Sequence, residues 1–213
     1  MRIGGCKMVS VTGYKFLSLE GVDGSGKTTI ASMLEKELKS QGIRCIKLRE
    51  PGGNLIAEKI RDILLAKELV EMCSTAELLL YAAARSQLVN TSIKEYLDSG
   101  VLIIADRYVD STTAYQGYGR GIDLELIKTI NNIATDGVMP DKTIVLDLEP
   151  SIAEQRLTGS KDRLELAGLE FFNRVRDGYL QIARDESPRT VLIDASQPLR
   201  DVFNAVLLEL GVN

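Results

Sequence analysis

The chain has 213 residues, 45% hydrophobic and 26% charged, enough for one domain to bury a core without metals or disulfides as staples. Its 26 Lys and Arg against 30 Asp and Glu leave a net charge of −4, which speaks against a nucleic acid polymer as partner, and no apolar run approaches the roughly 20 residues of a membrane span. With no histidine, Ser-His and Cys-His triads, imidazole zinc sites and histidine acid–base chemistry are excluded, and the three cysteines have no metal-ligand spacing and fit a reducing compartment.

Residues 1–14 lack the apolar stretch of a secretory signal and read as a flexible leader, so a cytoplasmic protein is expected. Residues 15–213 read as a single domain. Phe16 to Leu19 is a buried strand entering a Gly-rich turn, and Ile30 to Ser40 is a helix that stops near Gly42. Ile43 to Leu48 is a second strand, Pro51-Gly52-Gly53 a loop, and Ala57 to Leu65 a short helix. Ser74 and Glu77 have the spacing of a capping box that opens a long helix reaching Leu97.

Val101 to Ala105 is continuously apolar, as a strand buried on both faces of a parallel sheet must be. A helix over Leu124 to Ala134 and a strand over Thr143 to Leu148 follow. Ser151 and Glu154 form a second capping-box pattern, and a polar stretch over 158–162 precedes a helix carrying Phe171 to Arg184. Val191 to Ile193 is the last strand and Leu199 to Leu210 the last helix. The alternation predicts an α/β three-layer fold with a parallel sheet of about five strands.

Gly21-Val22-Asp23-Gly24-Ser25-Gly26-Lys27-Thr28 has the G-x-x-x-x-G-K-[ST] spacing, with Thr29 next to it. Glycines let backbone N–H groups turn inward around phosphate oxygens, and the following helix N-terminus adds partial positive charge there. Lys27 is placed to reach the β- and γ-phosphates of a bound nucleotide, and the Thr28 hydroxyl to ligate Mg²⁺, an arrangement that kinases, GTPases and ATPase motors share. The motif follows a strand and opens a helix, as that mechanism demands.

The Val101 to Ala105 strand delivers Asp106 to the sheet edge, where a carboxylate can hold magnesium through water. Arg107 comes next, where an ATP-hydrolysing motor usually places a glutamate. A guanidinium is a poor base and a good phosphate clamp.

Gly21 to Thr29, Arg49-Glu50-Pro51-Gly52-Gly53, Asp106-Arg107-Tyr108 and Ser111 to Gly117 together resemble the thymidylate kinases, in order and spacing. Asp162-Arg163-Leu164-Glu165 and Ile193 to Pro198 fit as well, so that the resemblance spans about residues 15–210. It implies ATP-dependent phosphorylation of dTMP to dTDP, Mg²⁺ as cofactor, ATP and dTMP as small-molecule partners, and a homodimer built on packed helices.

The resemblance also implies roles for single residues. Asp23 takes the acceptor's 3′-hydroxyl, and Arg49 and Arg107 cradle the acceptor phosphate and the transferring group. Tyr81 and Arg85, four apart on one helix face, stack on the pyrimidine and bond a base-edge oxygen. Ser111 or Thr112 reaches the remaining base edge, with Gln116 as a further candidate, and Tyr115 crowds a 2′-hydroxyl. A lid over 156–165 closes on ATP with Arg156, Lys161 or Arg163. Thr158 stands where a second lid arginine is usual, and Ala84 where a polar residue is usual before Arg85, which points to looser base selectivity.

A monophosphate acceptor is already ionised at neutral pH and needs no general base, in keeping with the absent histidine. Two rival readings stay open on the sequence. One is a broader deoxynucleotide or deoxynucleoside kinase, the other a nucleotide-binding switch with no second-substrate pocket.

Overall fold

In the computed structural model the described residues are 13–157 and 162–212. They form a five-stranded sheet, β1 (Phe16–Glu20), β2 (Cys45–Arg49), β3 (Leu102–Asp106), β4 (Lys142–Asp147) and β5 (Thr190–Asp194), in the order β2-β3-β1-β4-β5 with every pairing parallel. Parallel strands need crossovers, and helices supply them on both faces. The leader expected over 1–14 lies almost wholly outside the described residues.

The central strands β1, β3 and β4 are buried almost throughout because both of their faces are covered, and their inner positions are mostly apolar. Alternate residues of β3 divide between two cores. Leu102 and Ile104 pack with Ile30, Leu34 and Leu38 of α1 (Lys27–Ser40) on one face. Ile103 and Ala105 pack with Leu88, Val89 and Ile93 on the other. The 30–34–38 spacing is the buried stripe of α1.

The remaining helices are α2 (Leu55–Leu65), α3 (Ser74–Leu88), α4 (Lys94–Asp98), α5 (Val109–Thr112), α6 (Leu124–Thr135), α7 (Pro150–Arg156), α8 (Leu169–Asp185) and α9 (Leu199–Glu209). The long helix predicted through Leu97 is present, but Val89–Ile93 between α3 and α4 is π-helical. A second π-helical stretch, Thr113–Gly119, continues α5. Such wide turns gather at functional sites.

Neither predicted capping box forms. Helix α3 is preceded by Cys73, which makes no side-chain cap, and Glu77 is 1% exposed and turned into the protein. Helix α7 begins at Pro150 after Glu149, so Ser151 lies inside it. A proline fits the first helical position because its missing N–H is not needed there.

Candidate active site

Strand β1 ends at Glu20, and the chain turns through residues 21–26 into α1. Two glycines are forced by contact as well as by backbone angle. A Cβ on Gly21 (φ +135°) would lie 2.5 Å from the Leu146 carbonyl oxygen, and one on Gly24 (φ +82°) 2.5 Å from that of Ala153. Helix α1 starts at Lys27 behind Gly26, with no side-chain cap, which leaves its first N–H groups free for an anion. The Ser25 hydroxyl is buried without a partner among the described residues.

Lys27 folds back over the loop, its Nζ donating to the Val22 carbonyl at 2.8 Å. Burial and the nearby Arg107 push its ammonium down to about 8. The Thr28 hydroxyl donates to Asp106 Oδ2 at 2.5 Å, which joins the start of α1 to the end of β3. Lys27, Thr28, Thr29 and Asp106 line one cleft together with Arg49, Arg61, Arg107 and Arg156.

A second cleft of about 530 Å³, its open mouth included, adjoins the first and is lined by Asp23, Glu50, Tyr81, Arg85, Arg107, Ser111, Thr112, Tyr115 and Gln116 among others. Every predicted acceptor residue except Arg49 therefore converges here. Arg49 lies on the phosphate side, where Glu58 holds its Nη2 at 2.8 and 2.9 Å.

Arg107 is the junction of the two clefts. Its backbone takes a left-handed conformation (φ 76°), and its guanidinium lies 4.9 Å from the Tyr115 ring centre. Nη1 donates to the Gly21 carbonyl at 3.0 Å and to Ser111 Oγ at 3.1 Å, and Nη2 to Asp23 Oδ1 at 2.5 Å and Tyr115 OH at 3.0 Å. Burial opposes charge on Asp23. Arg107, Lys27 and the Tyr115 hydroxyl outweigh it and hold the carboxyl well below the usual range.

Arg85 is 2% exposed. It donates from Nε to Glu50 at 2.7 Å, from Nη1 to Thr112 and Asn131 at 2.9 and 3.0 Å, and from Nη2 to the Tyr108 carbonyl at 2.9 Å. Four of its five N–H groups are thus spoken for, which leaves one Nη2 hydrogen for a ligand. None of these bonds involves residue 84, and Ala84 is buried, so four of the Arg85 N–H groups are held without a polar neighbour there.

Glu50 has its Oε1 buried without a partner among the described residues, and burial raises its carboxyl to about 7 against the opposing pull of Arg85. Gln116 turns its amide nitrogen to Glu77 at 2.8 Å.

Two predicted residues are placed otherwise than expected. Ser111 donates its only hydroxyl proton to Glu20 Oε2 at 2.5 Å and accepts from Arg107, so no proton is left for a base edge. Burial and Asp110 raise the Glu20 carboxyl. Arg163 is buried away from the phosphate cleft. Its Nε donates to the Leu64 carbonyl at 2.8 Å, and its Nη2 forms an ion pair with Glu77 at 2.7 Å, off the hydrogen-bond direction. It does not face ATP in this arrangement because a buried carboxylate claims it. Arg156 does line the phosphate cleft, tied to the Ala195 carbonyl at 3.0 Å. Lys161 and Thr158 lie outside the described residues.

Arg61 lines both clefts and donates to the Pro51 carbonyl at 3.2 Å, yet sequence reasoning misses it because a basic residue on an amphipathic helix reads as solvated surface. Its spacing one turn beyond Glu58, on the helix that follows the Pro-Gly-Gly loop, is the available signal.

A glycine-lined loop between β1 and α1, an oxygen pair from Thr28 and Asp106, and an adjoining cleft of aromatic and donor groups define a phosphate-loop nucleotide-binding protein with room for a second ligand. A family model described as thymidylate kinase matches residues 19–206. The thymidylate kinase of Carboxydothermus hydrogenoformans is 48% identical over 191 residues, 89% of this chain and 93% of that protein. That of Sulfurihydrogenibium is 43% identical over 192 residues, covering 90% and 94%. The crystal structure of thymidylate kinase from Ehrlichia chaffeensis superposes with a TM-score of 0.76 at 34% identity over 92% of this chain and 97% of that one. The chain belongs to the thymidylate kinase family.

Proposed function

We propose that this protein transfers the terminal phosphoryl group of ATP to dTMP, giving dTDP and ADP. The observation that carries the reading is the meeting of two clefts at Arg107 and Asp23. One is built on a phosphate loop, and the other is closed by Tyr81, Arg85, Thr112 and Gln116. A switch protein has no use for the second.

Phosphoryl transfer proceeds through a loose transition state, so positioning and neutralisation of charge carry it. Lys27 and Arg156 stabilise the transferring group from the loop and lid sides, and Arg107 does so from between the substrates. Arg49 and Arg61 align the acceptor phosphate. Asp23 keeps lone pairs for the 3′-hydroxyl beyond those given to Arg107 and Tyr115. Tyr81 packs on the pyrimidine, the remaining Arg85 N–H meets a base carbonyl, Thr112 and Gln116 meet the rest of the base edge, and Tyr115 limits room at the 2′ position. Thr112 accepts from Arg85, so its own proton is free to be donated.

The residues present fit a bound magnesium ion. Thr28 and Asp106 offer hard oxygen donors side by side, and substrate phosphates and water complete a shell of the kind magnesium takes. Bound there, Mg²⁺ neutralises triphosphate charge. Thr28 and Asp106 hold the loop and strand end in register whether or not it is present. A homodimer is supported by apolar surface on α3 and its neighbours, with Leu79, Ile63 and Ile133 exposed. No described helix is long and apolar enough to cross a membrane, and we place the protein in the cytoplasm on its family.

The nucleoside kinase alternative needs a carboxylate base. Asp23 is held as a weak base by two cations, and Asp106 is engaged by Thr28. The test is ADP release with ATP and Mg²⁺ across dTMP, dUMP, dCMP, dGMP, UMP and thymidine. A strong preference for dTMP is expected. Faster turnover of thymidine, or turnover independent of acceptor, would overturn the proposal.

A further inference from the structure

Glu77 stands outside both clefts, yet it is one of the most heavily engaged carboxylates in the protein. It is 1% exposed in the first turn of α3, where its spacing from Ser74 suggests a capping role that it does not play. Oε1 accepts from Gln116 Nε2 at 2.8 Å and Arg120 Nε at 3.1 Å, and Oε2 accepts from Arg120 Nη2 at 3.0 Å and faces Arg163 Nη2 at 2.7 Å. Burial alone would raise its pKa. The hydrogen bonds from Arg120 and Gln116 and the charge of Arg163 outweigh burial and keep the group ionised. An ionised carboxylate only accepts hydrogen bonds, so the Gln116 group facing it must be the NH₂. The amide orientation is therefore dictated by chemistry and not left to choice. Gln116 lines the acceptor cleft and Glu77 does not, so the amide nitrogen points out of the cleft and the amide oxygen is the end left to it.

We infer that Glu77 is a specificity-determining residue that acts through Gln116, fixing its carboxamide with the oxygen toward the acceptor base. This deepens the function proposed above and rests on it. The consequence follows from base chemistry. Thymine and uracil carry a proton on ring N3 beside a carbonyl at C4. Cytosine has a bare N3 acceptor beside an amino group. A fixed oxygen acceptor next to the spare Arg85 donor matches the first pattern and opposes the second at both positions. Arg120, which also packs over Phe171 at 4.5 Å, and Arg163 keep the carboxylate charged and in place.

The test is Glu77→Gln in the full-length chain, assayed for kcat/KM with dTMP and dCMP at saturating ATP. Arg120 Nη2 and Arg163 at the Oε2 position claim the one remaining oxygen over the single Arg120 Nε donor at Oε1, which puts the new NH₂ against Gln116 and turns the Gln116 oxygen away from the base. The dTMP:dCMP ratio of kcat/KM is expected to fall roughly 10- to 100-fold. In a Gln116→Leu background the same change should leave the ratio where Gln116→Leu alone has put it. Glu77→Asp keeps the buried charge but withdraws one methylene from Gln116. It is expected to lower the ratio too, and it serves if Glu77→Gln does not fold. A purely structural ion cluster predicts lower stability and equal losses on both substrates, with the ratio unmoved by either Glu77 substitution. That result, or a parent that phosphorylates dTMP without discriminating against dCMP, overturns the inference alone. A parent inactive on dTMP overturns the proposed function instead.

Discussion

Replacing Arg85 with lysine separates a solvated helix charge from a buried, four-way anchor. The guanidinium holds Glu50, Thr112, Asn131 and the Tyr108 carbonyl at 2.7–3.0 Å while 2% exposed. An ammonium on a shorter stem can keep the Glu50 contact and one other at best. Two buried acceptors then lose a charged donor, each at about 1–3 kcal/mol, and the Glu50 pair loses its planar geometry. The expected loss is about 3–5 kcal/mol, a large share of the roughly 5–15 kcal/mol that a domain has. At about 2–4 °C per kcal/mol for a chain of this size, Tm should drop on the order of 10 °C. The same variant lacks the spare N–H, so KM for dTMP should rise about tenfold with a smaller change for ATP. Thermal denaturation and initial-rate kinetics on one preparation suffice. A Tm within about 2 °C of the parent would show that the four contacts are energetically idle and would refute the reasoning.

Three further expectations concern the phosphate loop. Lys27 is half neutral near pH 8 in the free chain, and phosphate charge favours its ammonium form, so ATP binding at pH 8.5 should take up protons. Calorimetry in buffers of different ionisation enthalpy reads this, and proton release would contradict it. Thr28→Val removes the hydroxyl that meets Asp106 at 2.5 Å and should raise the Mg²⁺ concentration for half-maximal rate about tenfold or more, whereas an unchanged Mg²⁺ titration argues against the site. Gly24→Ala drives a methyl to 2.5 Å from the Ala153 carbonyl at φ +82°, so the loop must deform. A loss of about 1–3 kcal/mol in stability and a sharply weaker affinity for ATP are expected, and parental ATP affinity would count against so close an approach of the two backbones.

The clearest strand is legible in the sequence because an apolar run covered on both faces, Leu102 to Ala105, leaves no polar alternative to burial. The phosphate loop is legible because its mechanism acts over eight consecutive residues. Glu77 is not. Its local spacing matches a cap, but its partners Gln116, Arg120 and Arg163 lie 39 to 86 positions away, and tertiary ion pairing overrides the helix-end bond. The destination of the Ser111 proton escapes a sequence reading for a similar reason, since it goes to Glu20, 91 residues earlier in the chain. The π-helical turns at Val89–Ile93 and Thr113–Gly119 have no signature in side-chain periodicity, and the second of them sets where Tyr115 and Gln116 stand.

The position of Arg107 has a consequence for how the two ligands feel one another. Its guanidinium is clasped by Asp23 and Tyr115 on one side and by the Gly21 carbonyl and Ser111 on the other. On the function proposed above, a phosphate arriving in either cleft competes for the same five N–H groups, so the first substrate to bind would loosen or complete a site that the second uses. The two affinities are thereby linked thermodynamically. Whatever factor ATP imposes on the binding of the acceptor through this one side chain, the acceptor must return to ATP.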